Sequence, residues 1–165
     1  MPLIIRYPPA VAAGRVVDKN VSTCDIFATL CELTGLEIPA GLDSRSLCGL
    51  MSPTAVDGSG WELNEAVSQF GGQGTQITPE MGFTNVMIKH DDLKYQYYGP
   101  SVPEVLFDLG SDAAEERDCI DEPEYAEAVE RFRARLAELG HGPGARPGYT
   151  GAGYVGNPRA AAPRL

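Results

Sequence analysis

Two stretches of the chain repeat apolar residues at the spacing of an amphipathic helix. In the first, residues 22–35, Ser22 and Asp25 form a pair typical of a helix N-terminus, and Gly35 suits the left-handed position after the last turn. The apolar residues share one face of this helix: Ile26, Phe27, Leu30, Cys31 and Leu33. We predict that the helix packs this face against a sheet.

The second helical pattern covers residues 123–139. Pro123 suits a first helical position, and Gly140 suits a residue that ends a helix. The apolar stripe comprises Tyr125, Ala128, Val129, Phe132, Leu136 and Leu139. Residues 141–165 are dominated by Gly, Pro and Ala, so burial cannot offset the entropy of ordering them. We therefore expect a disordered tail after the second helix.

The pattern between the helices is β-like. β-branched and aromatic residues mark four strands, at residues 63–70, 83–90, 93–98 and 105–109. His90, Asp91 and Asp92 lie between the second and third strands and predict a hairpin, and residues 71–82 form a Gly-rich loop. A further short run, Leu3–Ile5, has the continuous apolar character of a strand buried on both faces. The pattern therefore predicts an α/β fold whose C-terminal part is α+β.

The net charge and the length of the apolar runs limit the classes of partner that the chain is expected to bind. The 165 residues carry a formal net charge of −10, which disfavours binding to phosphate backbones and anionic lipids. No apolar run approaches the roughly 18 residues of a membrane-spanning helix, and the opening does not resemble a signal peptide. We expect neither nucleic acid nor membrane as a partner, and a cytoplasmic location by default.

None of the motifs that could indicate a catalytic or binding site has the neighbouring residues that such a site requires. The four cysteines match no zinc spacing and predict small buried thiols. Residues 151–156 match G-x-G-x-x-G without the flanking strand and helix that a dinucleotide site needs. The carboxylates of residues 112–121 are expected to complement a helix N-terminus. Residues 90–92 are expected to form a solvated turn. No nucleophile and base stand at a recognisable spacing, so we predict no catalytic, cofactor-binding or metal-binding residue in this chain.

Four motifs stand in a fixed order along the chain. The first comprises PLIIRYP (residues 2–8) and GRVVDKNVSTCDIFATLCELTGLEIP (14–39), and the later three are LDSRSL (42–47), VMIKHDDLKYQYY (86–98) and EVLFDLGSDAAEERD (104–118). In this order they resemble the sulfatase family of the alkaline-phosphatase-like superfamily. The first motif is similar to the family segment after its last catalytic lysine. Four motifs in the correct order make the resemblance specific.

The chain departs from the family pattern at four places. Ala28 and Ala113 stand where the family has proline, Ser44 where it has glycine, and Asp118 where it has asparagine. The family's Cys (or Ser)-x-Pro/Ala-x-Arg signature, its acidic metal ligands and its basic catalytic residues all precede the matching segment. The resemblance therefore transfers no catalytic or metal residue to this chain.

The resemblance implies a domain organisation and a function. Residues 1–58 would be the last strand and helix of a large parallel α/β domain, and residues 59–140 a small subdomain of four antiparallel strands and one helix. The complete enzyme would hydrolyse sulfuric esters with a divalent metal, calcium, and a formylglycine. This chain would be an inert C-terminal fragment whose partner is the missing N-terminal catalytic part. Residues 71–82 would then be a candidate specificity loop.

Three alternatives remain open. Phosphonate and phosphate ester hydrolases share much of the same C-terminal pattern, so the substrate could belong to either class. The chain could be one half of a two-polypeptide hydrolase. It could also be a free-standing, non-catalytic interaction module, which would hide residues 3–5 and the stripe of residues 26–33, whereas a fragment would expose apolar surface.

Overall fold

The computed structural model describes residues 2–52, 61, 63–71, 84–99 and 102–141. Its helices are α1 (Asp25–Leu33), α2 (Cys48–Met51) and α3 (Ala126–Glu138), and its strands are β1 (Glu65–Gly71), β2 (Thr84–His90), β3 (Leu93–Tyr97) and β4 (Val105–Asp108). The contacts divide the chain into two compact units, Met1–Ala66 and Val67–Leu165. The predicted domain boundary after residue 58 lies outside the described residues and stays a prediction.

The four strands that the sequence predicted form one sheet, in the order β1-β2-β3-β4. β2 and β3 are antiparallel and joined by a tight turn, since His90 pairs with Leu93. Asp91 adopts a positive φ of 50° in this turn, a conformation that Asp tolerates better than most residues. β3 and β4 are also antiparallel, with Lys94 opposite Phe107.

α3 closes the core of the second unit. Its residues Val129, Phe132 and Leu136 are buried together with Val86, Ile88, Tyr95, Tyr97 and Leu106 of the sheet. The rings of Phe132 and Tyr95 are stacked, with centroids 5.3 Å apart. The predicted stripe is therefore confirmed, and a 3₁₀ turn, Pro123–Tyr125, precedes the helix. His141, where the predicted tail begins, is buried, and the rest of that tail lies outside the described residues.

The outer edge of β4 is covered by the segment that follows it. The Leu106 N–H donates to Asp118 Oδ1 at 3.0 Å, and the Cys119 N–H donates to the Leu106 carbonyl at 2.7 Å. Asp118 Oδ1 also accepts the Ile120 N–H at 3.0 Å. These bonds satisfy an edge that would otherwise be open to pairing with another strand.

In the first unit, α1 begins and ends close to the predicted residues. The Ser22 N–H donates to Asp25 Oδ2 at 2.8 Å, which is half of the predicted capping box. Ser22 Oγ accepts the Cys24 N–H at 3.3 Å rather than the N–H of a third helical residue. After the helix Gly35 has a φ of 72°, the left-handed conformation that glycine adopts without strain.

Burial along α1 is opposite to the prediction. The buried residues are Asp25, Ala28, Thr29 and Cys31, whereas Ile26, Phe27 and Leu30 are exposed. The predicted stripe correctly groups the large apolar residues, but only Cys31 of that stripe is buried. On the buried side of α1, the Asp25 carboxylate and the Thr29 hydroxyl accept the N–H groups of Arg45 and Leu47, so polar contacts turn this side toward the unit.

The run of residues 3–5 is not a strand in this structure. Leu3 and Ile4 are exposed, and Ile5 packs at the margin of a small apolar cluster formed by Leu47, Leu50, Met51 and Trp61. A strand needs a neighbouring strand to satisfy its backbone groups, and no described residue pairs with this run. The expected strand buried on both faces is therefore corrected to an exposed, irregular segment.

Candidate functional site

The most distinctive surface of the described chain is the outer face of α1, which we define as Ile26, Phe27 and Leu30. Their exposed fractions are 37%, 54% and 55%. Helical geometry places residues i, i+1 and i+4 on one side of the helix axis, so the three side chains form one apolar surface. Burying a single Phe or Leu side chain stabilises a protein by about 1.5–3 kcal/mol. The first unit lacks this stabilisation at the exposed side chains of α1.

Two hydrogen bonds keep the other face of α1 against its own unit. Asp25 Oδ1 accepts the Arg45 N–H at 2.8 Å, and Thr29 Oγ1 accepts the Leu47 N–H at 2.9 Å. Both α1 residues are almost fully buried. The helix cannot turn its apolar face inward without leaving these groups unsatisfied, so its orientation is fixed by polar contacts.

Exposed apolar residues are concentrated in the first unit. Thirteen large apolar side chains of the described residues are exposed, and all except Val102 belong to the unit Met1–Ala66. Ile4 and Val16 are the most exposed, at 89% and 90%. The second unit therefore encloses its own core, whereas the first leaves much of its apolar surface uncovered.

The second unit contains a shallow cavity in which Glu104 and Arg133 are paired with each other. Glu104 Oε2 accepts the Arg133 Nε–H at 2.9 Å, and the Arg133 Nη1–H group also donates to Glu130 at 2.8 Å. Both arginine and glutamate line the cavity beside Tyr97. Burial raises the pKa of the Tyr95 and Tyr97 hydroxyls, and the Glu104 carboxylate raises both further. The tyrosines therefore stay protonated at neutral pH and are poorly suited to acid–base catalysis.

Three carboxylates of the acidic segment, residues 112–121, have partners within their own unit. Asp112 Oδ2 accepts the Arg117 N–H at 2.8 Å, and Glu115 forms an ion pair with Lys94 Nζ at 2.6 Å. Asp118 accepts backbone N–H groups near β4. These three carboxylates are therefore engaged away from the N-terminus of α3, where the sequence had placed them.

Neither the turn of residues 90–92 nor the cysteines form a group of side chains suited to catalysis or metal binding. His90 Nε2 lies 3.7 Å from Asp91 Oδ2, and among the described residues no three His, Cys, Asp or Glu side chains are grouped to hold a metal. All four cysteines are free. Cys31 and Cys119 are buried as predicted, Cys48 is half-buried, and Cys24 is exposed, contrary to the prediction. Burial raises the pKa of the Cys119 thiol, which makes it less reactive.

The two Gly-rich motifs cannot be placed. Gly71 ends β1, but the remainder of the candidate specificity loop of residues 71–82 and the G-x-G-x-x-G match of residues 151–156 lie outside the described residues.

Among the residues that are described, none of the helices has the length and apolar character that crossing a bilayer requires.

One residue with a clear structural role gave no signal in the sequence. The Arg45 guanidinium lies over the Trp61 ring, 3.7 Å from its centroid, and it donates to the Leu63 and Glu65 carbonyls at 2.9 and 3.1 Å. Trp61 Nε1–H donates in turn to the Asn20 carbonyl at 3.1 Å. A lone arginine in a polar stretch has no periodicity that would have predicted this contact.

Comparison with known proteins shows which family the sequence of this chain resembles and which portion of that family it matches. The sequence profile of the family described as N-sulphoglucosamine sulphohydrolase, C-terminal, matches residues 1–141. Arylsulfatase K of Xenopus laevis is 31% identical over 121 residues, which are 70% of this chain and 21% of the relative. The chain thus spans about a fifth of the length of this curated relative.

Solved structures support the same fold. A protein solved in complex with its substrate, D-glucosamine-2-N,6-O-disulfate, superposes with a TM-score of 0.63 at 22% identity, over 83% of this chain and 27% of that one. A phosphonate monoester hydrolase from Silicibacter pomeroyi also reaches 0.63 at 22% identity, over 79% of this chain and 27% of its own. The profile match across residues 1–141 and the 31% identical arylsulfatase show that the chain belongs to the sulfatase family and corresponds to its C-terminal portion.

Proposed function

We propose that this chain is the C-terminal part of a hydrolase of sulfuric esters and is inert when alone. The observation that carries the proposal is the family match over residues 1–141, in a chain that spans 21% of a curated arylsulfatase. In this proposal the missing N-terminal part, in the same polypeptide or in a separate one, performs the chemistry, and the present chain completes the fold around it.

The described residues do not fit the groups that the family uses for catalysis. They hold no cluster of His, Cys, Asp or Glu suited to a divalent cation. The exposed Cys24 is followed by Asp25-Ile26-Phe27-Ala28, which is not the signature that precedes formylglycine formation. We therefore assign calcium and formylglycine to the proposed catalytic part, and no step of the reaction to a residue of this chain.

The uncovered apolar surface supports the fragment over the free-standing module. A module that folds alone would bury residues 3–5 and the stripe of residues 26–33, yet Leu3, Ile4 and the outer face of α1 are exposed. Monomeric soluble proteins rarely leave large contiguous apolar patches open to water. An incomplete domain accounts for this exposure without a separate function.

The test compares two proteins on one chromogenic substrate. The 165-residue chain is expected to release no nitrophenol from 4-nitrophenyl sulfate at any calcium concentration, whereas the same chain completed by its catalytic part is expected to release it. Turnover by the chain alone would refute inertness. Lack of turnover of both 4-nitrophenyl sulfate and a sulfated glucosamine by a folded, completed protein that carries formylglycine would refute the proposed hydrolysis of sulfuric esters.

A second substrate class has one observation in its favour. The phosphonate monoester hydrolase reaches the same TM-score as the protein bound to a sulfated sugar, so the fold of this portion does not separate the two classes. A parallel assay with a 4-nitrophenyl phosphonate monoester distinguishes them. A higher kcat/KM on the phosphonate than on the sulfate would replace the first proposal with the second.

A further inference from the structure

The cavity beside Tyr97 is the part of the second unit where burial is least complete. It has a volume of about 320 Å³ and is lined by the end of β3, the segment before β4, the segment before α3 and α3 itself. Val102 in its wall is 49% exposed, and it is the single large apolar side chain that the described part of the second unit leaves exposed. This volume lies at the lower end of the range for ligand sites, which suits one side chain or a small molecule.

The charges around the cavity do not balance. Arg133 is the one cation among the described residues that line it, and its guanidinium already binds Glu104 at 2.9 Å and Glu130 at 2.8 Å. The carboxylate of Asp121, which also lines the cavity, has no hydrogen bond or ion pair with any described residue. The cavity therefore carries an excess of negative charge and favours a cation over an anion.

The polar and apolar groups at the cavity together suit an arginine side chain. The Tyr95 hydroxyl is buried beside Glu104 and Arg133 but forms no well-aligned hydrogen bond with a described residue, whereas buried hydroxyls are normally paired. Val102 and Ile120 supply apolar walls. An arginine packs its methylene groups on apolar surface and pairs its planar guanidinium with carboxylates. The chemistry of the cavity therefore fits an alkyl guanidinium group.

The chain itself supplies such groups after α3. All 23 Asp and Glu residues lie at or before Glu138, whereas residues 142–165 carry three arginines, Arg146, Arg159 and Arg164, and no Asp or Glu. These residues lie outside the described part of the chain. A basic segment joined to an acidic unit is attracted to the excess carboxylates of that unit.

Arg146 is the arginine with the shortest path to the cavity. Arg133 precedes Glu138 by five residues, which is about 8 Å along a helix axis. Five residues also separate His141 from Arg146, and they can span up to about 17 Å. Arg159 is 18 residues from His141, and loop closure becomes about threefold less frequent with each doubling of loop length. Chain length therefore favours Arg146 over the later arginines.

We infer that this cavity binds the guanidinium group of Arg146 from the same chain, through the carboxylates of Asp121 and Glu104. The contact ties one residue after α3 to the second unit, and it does not require the rest of residues 142–165 to be ordered. The inference does not depend on the proposed function, because it involves only charged groups of the second unit and the residues that follow α3. The same segment of a second copy of the chain is the competing occupant.

The test labels the arginines of the 165-residue chain with phenylglyoxal and follows each by mass spectrometry. Chymotryptic cleavage after Tyr149 places Arg146 and Arg159 on different peptides of the same molecule. We expect Arg146 to react about threefold more slowly than Arg159, which is the protection that one partly exposed ion pair gives. The rates of both arginines in concentrated urea provide their intrinsic reactivities. Equal corrected rates in the parent chain would overturn the inference without any variant.

One variant and one matched control locate the contact. Asp121→Asn should abolish the slower labelling of Arg146. Glu116→Gln should keep it, because Glu116 is an exposed carboxylate of the same unit that does not line the cavity. At about 1 M salt, where the Debye length is about 3 Å, the protection should also disappear.

The other outcomes overturn the inference in different ways. Protection of Arg146 that persists in Asp121→Asn would place the arginine elsewhere, and protection of Arg159 alone would make Arg146 the wrong residue. Protection that increases with chain concentration would assign the cavity to a second copy. Hydrolysis of 4-nitrophenyl sulfate by the completed protein should be unchanged by Asp121→Asn, so a failure of this inference is distinguishable from a failure of the proposed function.

Discussion

Replacing Asp25 with asparagine should destabilise the first unit although the two side chains have nearly the same shape. Asp25 is 3% exposed, and its two carboxylate oxygens accept different backbone N–H groups. Oδ2 accepts from Ser22 and Oδ1 from Arg45, each at 2.8 Å. An amide offers one oxygen and one NH₂ group, so Asp25→Asn must present a donor to one of the two N–H groups.

The size of the effect follows from the lost bond. A hydrogen bond to a charged group contributes about 1.5–3 kcal/mol, and a buried donor left without a partner costs about 1–3 kcal/mol. Because one of the two bonds survives in Asp25→Asn, we expect the free energy of unfolding of the first unit to fall by about 2–3 kcal/mol. The loss should affect the start of α1 and the loop around Arg45 together, since the same side chain ties both.

The assay uses the single tryptophan of the chain. Trp61 is buried in the first unit, so its fluorescence during urea unfolding reports that unit. With a urea dependence of about 1–2 kcal/mol/M, the midpoint should fall by about 1–3 M. The control is Asp18→Asn, which makes the same chemical change at an exposed carboxylate and should leave the midpoint in place.

If Asp25→Asn and Asp18→Asn gave midpoints that agree within error, the two bonds of Asp25 would not hold α1 to its unit. The fixed orientation of the outer face would then lose its support. A lower midpoint for Asp25→Asn alone would support that orientation.

Three further predictions follow from single contacts. Arg45→Lys should lower the fluorescence-detected stability of the first unit by about 1–3 kcal/mol, because an ammonium lacks the planar fork that stacks on Trp61 while two separate nitrogens donate to the Leu63 and Glu65 carbonyls. An unchanged urea midpoint would contradict this. Asp118→Asn should be neutral in thermal unfolding, since the amide oxygen can accept the same two N–H groups, whereas Asp118→Ala should lose about 1–3 kcal/mol; equal effects would argue against the edge bonds. The hydrogen bond to Asp108 raises the pKa of Tyr125 from 10.0 to about 12, so the free energy of unfolding should fall as the pH rises from 10 to 12. Tyr125→Phe should reduce that fall in thermal melts recorded across this pH range. If the pH profiles of the variant and the parent ran parallel, the assignment would be contradicted.

The second unit could be predicted largely from its sequence. The β-type runs placed all four strands, and the stripe around Phe132 defined the face of α3 that packs on them. This success has a physical reason: hairpins and a following helix bury their apolar residues against near neighbours in the chain. Local pattern and tertiary burial therefore agree.

The first unit shows where sequence reasoning ends. The periodicity of Ile26, Phe27 and Leu30 correctly gave a helix, but not which of its faces is buried in this chain. Periodicity records which residues should leave water, whereas burial requires a partner surface to be present. Asp25 and Thr29 bind a loop some 20 residues away in sequence, and no local pattern encodes that pairing.

The sequence by itself determined α1, α3, the strands, the turn at Asp91 and the resemblance to the sulfatase family, because each depends on residues close together in the chain. The short helix α2 was not predicted. Only the tertiary structure decided that the outer face of α1 is open, that Arg45 stacks on Trp61, and that the acidic residues near Asp118 serve the backbone. These features arise from contacts between distant segments, which compete for the same side chains and are settled only when the whole chain packs.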